Sequence, residues 1–106
     1  MANFVFLYTG GMQSMSDADR KRALDLWNKW YDKLGSAIVE KGNPFTQVAK
    51  SVHHDGRVIE KPLCEAASGY TVVKAESINK AIELAKGCPI LHDGGDVSVY
   101  ETLPAM

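Results

Sequence analysis

"NFVFLYT", residues 3–9, decides the fold. Successive side chains of a strand point to opposite faces, so Phe4, Phe6 and Tyr8 share one side and Val5, Leu7 and Thr9 the other. A strand covered on one side only alternates apolar with polar residues, whereas this one is apolar on both. It reads as a central strand covered twice, and Gly10-Gly11 ends it.

A helix is predicted next. Ser16 is its expected N-cap, with Asp17 and Asp19 at the positive end of the helix dipole. Ala23, Trp27, Trp30, Tyr31, Leu34 and Ile38 recur at spacings of three and four, which is one apolar stripe. Lys41, Gly42 and Pro44 read as stop signals, so the helix is expected to reach residue 41. Gly35 lies in its middle, where glycine costs about 1 kcal/mol relative to alanine. That implies a kink or a close neighbour.

"TQVAKSVHHDGRVIEK" (46–61) places two β-type runs around Asp55-Gly56, a dipeptide favoured in two-residue type I′ hairpin turns. "PLCEAASG" (62–69) reads as loop and "YTVVKA" (70–75) as strand. "SINKAIELAKG" (77–87) reads as a short helix with Ser77 as cap, Ile78, Ala81, Ile82 and Ala85 as its buried stripe, and Gly87 and Pro89 as its stop. "DVSVYET" (96–102) is the last strand.

The order β-α-β-β-β-α-β is that of a split βαβ, ferredoxin-like α+β domain with an antiparallel sheet. Both helices are expected on one face, because such crossovers are right-handed. The opposite face would leave the second side of residues 3–9 in water, and soluble monomers rarely expose such a patch. A twofold homodimer with sheets packed face to face is therefore expected.

The bulk composition narrows the function. A chain of 106 residues is one domain, 1–106. With 12 basic against 13 acidic residues and a net charge of −1, it lacks the clustered cations that nucleic acid or anionic lipid requires. "DRKR" (19–22) sits among acids and reads as a solvated helix face. Cys64 and Cys88 form no CxxC pattern, and the opening residues lack the basic region of a signal peptide. A cytoplasmic protein with reduced thiols, no cofactor and no metal is expected.

Several stretches in order carry a resemblance: the glycine-ended first strand, the Trp-bearing helix, "GNPF" (42–45), the Asp-Gly hairpin, "GYTVVKA" (69–75), "GCPIL" (87–91) and "GGDVSVYET" (94–102). Over nearly its whole length the chain resembles the YCII-related (DGPF domain) family. That resemblance implies a ferredoxin-like subunit, a dimeric α/β barrel, and a pocket between the sheet and the first helix. It implies no settled biochemical role, although some relatives are linked to enzymatic steps in aromatic degradation. Two departures stand out. The loop before residue 70 reads "EKPLCEAASGY" without the DGPF tetrapeptide, and the first helix carries tryptophans but no histidine. Chemistry assigned elsewhere to a helix histidine and its acid cannot be carried over.

The candidate site residues follow from residue type. A pocket walled by aromatics with a few polar groups at its rim is the usual form of a small-molecule site. Tyr8, Trp27 and Trp30, with Asn43 and Phe45 from "NPF", are the candidate ligand-binding residues, though aromatic stripes also fill cores. Gly10-Gly11 could let backbone approach a ligand. His92 is the candidate general acid–base group for an isomerase or lyase. Its neighbour Asp93 is a weaker partner, because adjacent residues in extended chain point apart. His53 and His54 should face opposite ways and lack a third ligand, so no metal site is read there. Three functions are carried forward: small-molecule binding of an apolar or aromatic ligand, acid–base catalysis by His92, and a non-enzymatic protein-interaction module.

Overall fold

The computed structural model describes residues 1–11 and 16–104. The first strand, β1 (Ala2–Thr9), is a central strand flanked on both edges, and one of its two apolar faces is covered while Val5 and Leu7 on the other are half-buried. Along one edge it pairs antiparallel with β5 (Ala67–Ala75), setting Phe4 opposite Val73, Phe6 opposite Thr71 and Tyr8 opposite Gly69. Along the other it pairs antiparallel with β6 (Asp96–Glu101), setting Phe6 opposite Val99 and Tyr8 opposite Val97. The short β2 (Ile38–Glu40) adds to the far side of β5, giving a four-stranded antiparallel sheet in the order β2-β5-β1-β6. With two helices, this α+β architecture is compatible with a ferredoxin-like arrangement.

Both helices cover the face that carries Phe4, Phe6 and Tyr8. Helix α1 (Asp17–Leu34) buries Trp30 and Leu34 against it, and α2 (Ile78–Ala85) buries Ala81 and Ala85. The small residues on α2 let its backbone approach the sheet. Phe4 and Phe6 are wholly enclosed, and burying each side chain contributes roughly 1.5–3 kcal/mol. The helix starts follow the expected chemistry: the Ser16 hydroxyl accepts from the Asp19 amide, and that of Ser77 from the Lys80 amide.

Several expectations are corrected. Helix α1 ends at Leu34, seven residues before the expected stop, because Gly35 adopts a left-handed φ of 55° and returns its N–H to the Tyr31 carbonyl. Nothing lies within 4 Å of a Cβ at Gly35, so the glycine marks neither a kink nor a close neighbour. After one 3₁₀ turn (Gly35–Ala37), Ile38 enters β2 and still packs on the core, now from a strand. A stripe that continues across a helix end cannot be told from a longer helix by spacing alone. On α2, Ile78 and Ile82 are each more than a third exposed, since the two alanines occupy the sheet-facing line.

The Asp-Gly hairpin forms, but as a separate two-stranded unit of β3 (Ser51–Val52) and β4 (Val58–Ile59), not as part of the main sheet. Its turn is also different. The His53 amide bonds to the Arg57 carbonyl, the Gly56 amide to the His53 carbonyl, and only Gly56 has positive φ (92°). A type I′ turn would require Asp55 to be left-handed as well. Asp55 accepts instead from the Arg57 amide and guanidinium, which holds the extended-side turn.

Two glycines bring the segment 42–45 tight against the end of the sheet. A Cβ on Gly42 (φ 73°) would lie 1.8 Å from the Tyr70 carbonyl oxygen, and one on Gly69 would lie 3.0 Å from the Asn43 carbonyl oxygen. Gly42→Ala should therefore lower unfolding free energy by about 3 kcal/mol in urea titrations, combining left-handed strain with overpacking. Gly56→Ala, where the φ is also positive but space is open, should cost about 1 kcal/mol.

Candidate functional site

Where the C-terminal end of β1 meets the start of β5, α1 stands off the sheet and leaves a cavity of about 630 Å³. Its wall on α1 is Ala23, Leu24, Trp27 and Tyr31, and its base is Tyr8 with the Gly10-Gly11 turn. The 41–47 segment and Ile90 close the sides. The left-handed φ values of Gly10 (75°) and Gly11 (97°) turn the chain sharply out of β1, and the backbone there packs against Gly95 and Ile90.

The aromatic side chains form one connected set. Trp27 meets Tyr8 edge-to-face with ring centroids 5.2 Å apart and lies 5.8 Å from Tyr31. Trp30 is a core residue: it stacks on Phe6 at 6.2 Å, and its indole N–H donates to the Leu84 carbonyl on α2. Of the residues put forward from sequence, Tyr8, Trp27, Asn43 and Phe45 come together around the cavity, whereas Trp30 lies behind it. Phe45 is about half exposed at the mouth, against the Tyr70 ring at 5.8 Å.

Tyr8 is buried, so its hydroxyl needs a partner. It donates to Thr71 Oγ1 at 2.6 Å, and the Thr71 hydroxyl donates to the Lys41 carbonyl at 2.8 Å. This chain of hydrogen bonds runs from the cavity base to its rim. Burial pushes the Tyr8 phenol far above its ordinary range, the Thr71 bond pulling weakly the other way. Burial also raises Tyr31. The Cys88 thiol, fully enclosed, is pushed up to about 11 by burial, with the Ile90 amide opposing it. A thiol held protonated in this way is no nucleophile at neutral pH.

His92 and Asp93 sit on a 3₁₀ turn (Pro89–Asp93) closed by left-handed Gly94. His92 is exposed and does not line the cavity; Asp93 does. His53 and His54 do not point apart as expected, their rings lying 4.1 Å from one another, because His54 already belongs to the turn. His53 Nδ1 lies 3.3 Å from Asp55 Oδ1. Among the described residues no three His, Cys, Asp or Glu side chains gather as a metal site would require.

Thr71 and Lys41 belong to this site and were not singled out from sequence. Thr71 carried a signal, as the one polar residue at an inward position of "YTVVKA". Lys41 carried none, because it was assigned to a helix end that does not exist. Compared with protein-family models and with curated proteins, the chain matches none significantly. No helix among the described residues is long and apolar enough to cross a membrane.

The buried phenol and thiol make stability sensitive to alkali. Each folded pKa lies above its unfolded value, so the unfolded chain loses protons first and stability falls as pH rises. Unfolding free energy should hold level up to about pH 9, then decline, first through Cys88 between its unfolded value of 9.0 and about 11, and above pH 10 through Tyr8 as well. Urea titrations across pH 8–11 should show Cys88→Ala removing the earlier part of the decline and Tyr8→Phe the later part.

Proposed function

We propose that this chain is a small-molecule-binding protein of YCII-related type, with its ligand between α1 and the end of the sheet. The observation that carries this reading is the aromatic-walled cavity. Its volume falls within the range of about 300–1,000 Å³ typical of ligand sites, and its few polar groups lie at the rim. Leu24 and Phe45, each about half exposed, stand at the mouth, where an apolar or aromatic ligand would cover them.

Acid–base catalysis by His92 draws less support, since the residue lies outside the cavity. A purely protein-binding module would be favoured by a core without a cavity, which is not what this chain has. The binding reading is checked by titrating the protein with small aromatic acids, phenols and lactones while following tryptophan emission. Trp27 should respond, and Trp27→Ala should weaken binding at least tenfold. An unresponsive Trp27 across the whole panel would overturn it.

The functional unit in this proposal is a homodimer built sheet to sheet. Val5, Leu7 and Val72 lie on the face away from the helices and are only half-buried in the single chain, and Val39 and Tyr100 are exposed by half or more. The β3–β4 hairpin adds exposed Val52 and Val58, and the segment before it exposed Val48. Light scattering at micromolar concentration should return about twice the 11.6 kDa chain mass, and Leu7→Glu should halve it. A single-chain mass for the unmodified protein would refute the dimer.

A further inference from the structure

We propose that the cavity selects an aromatic monoanion, a carboxylic acid whose ring lies against Trp27 and Tyr8 and whose carboxylate meets the Lys41 ammonium. This inference rests on the binding reading above and adds the charge of the ligand to it.

The charges around the cavity are few. Its lining includes two cations, Arg20 and Lys41, and one carboxylate, Asp93. Arg20 is already engaged with Asp17 at 3.4 Å. Among the described residues Arg20, Arg22, Lys50, Arg57 and Lys86 each have a carboxylate partner; Lys41 is one of several lysines with none, but it is the one of them that lines the cavity, with its Nζ 5.4 Å from the Tyr31 ring centroid. An ammonium over an aromatic face keeps its charge available to a second, anionic partner.

Lys41 is also held in place more firmly than an ordinary surface lysine. Its carbonyl receives the Thr71 hydroxyl, which in turn receives that of Tyr8, and the next residue, Gly42, is pressed against the Tyr70 carbonyl. The stem of the side chain therefore starts from a fixed point on the cavity rim.

The base of the cavity cannot hold the anion itself. The Tyr8 proton is committed to Thr71, and the remaining wall of Trp27, Ala23 and Ile90 is apolar apart from the indole edge. A carboxylate moved into such surroundings needs a cation and hydrogen-bond donors beside it. Lys41 provides the charge. Asn43 lines the same rim, where its amide can donate a hydrogen bond to the carboxylate. One unpaired cation matches one negative charge, and Asp93 disfavours a second.

The test compares 2-naphthoate with its neutral isostere 2-naphthamide by calorimetric or NMR titration of the full chain. The acid should bind about tenfold more tightly, a rim ion pair being screened by water. Lys41→Met should abolish that preference, Lys41→Arg should retain most of it, and added salt should weaken the acid alone. Circular dichroism confirms that each variant folds. Equal binding of acid and amide to the unmodified protein, or a preference that survives Lys41→Met, overturns the charge assignment while leaving the binding site standing. If neither compound binds, nor any other small aromatic, the binding reading fails and this inference goes with it.

Discussion

The arrangement of the whole molecule hangs on β1, whose backbone is hydrogen-bonded along both edges and whose side chains on both faces are apolar. With Phe4, Phe6 and Tyr8 on one face, that side must be roofed, and the two helices do so together. Because the buried residues of α2 are the alanines Ala81 and Ala85, it can sit close. Helix α1, with two tryptophans and a tyrosine, cannot. The large rings hold the α1 backbone away from the sheet, and the cavity opens beside them, walled by Ala23, Leu24, Trp27 and Tyr31. The cavity is a consequence of packing unequal side chains under two helices.

The polar demands of that gap are met by one short relay. Burying a tyrosine hydroxyl without a partner costs roughly 1–3 kcal/mol, and Thr71 removes that cost by accepting the proton and passing its own to the Lys41 carbonyl. The relay therefore does two things at once. It lets an aromatic with a polar tip form the base of the cavity, and it ties the rim segment 41–45 to the sheet. The glycine contacts at 42 and 69 tie the same segment from its backbone. The lower part of the site is thus tied to the sheet through both side chains and backbone, while its mouth is made of exposed side chains on α1 and on the 43–47 segment.

The outline of the single chain points the same way as its exposed apolar residues. Its radius of gyration is 15.1 Å, where a compact domain of this length would have about 13 Å. The extents of 43 × 43 × 18 Å describe a slab with one helix-covered side and a hairpin that stands apart from the core. Slabs of one sheet and one helical layer leave half of the sheet in contact with water unless something covers it, which is the physical basis for proposing a second copy there.

Local chemistry was enough to read β1, the start of both helices, β6, the glycine-closed connection at 94 and residues 70–75 of β5, because each depends on alternation, a cap or a backbone angle that a few neighbouring residues set. The first three residues of β5, 67–69, read locally as loop and are strand only through their pairing with the end of β1. The same local signals placed Tyr8, Trp27, Asn43 and Phe45 near a pocket. What local signals could not settle was the end of α1, since the stripe runs on through Ile38 whether that residue is helical or extended, and only pairing with Val73 of β5 decides it. Everything dependent on that pairing was hidden as well: the edge strand β2, the exclusion of the hairpin from the sheet, and the place of Lys41 at the cavity rim. Hydrogen bonds between residues 30 and 63 positions apart join Lys41, Thr71 and Tyr8, and no window of sequence spans them. Tertiary packing also separated Trp27 from Trp30, giving one to the cavity and the other to the core, although the two carry the same ring three residues apart on one helix stripe.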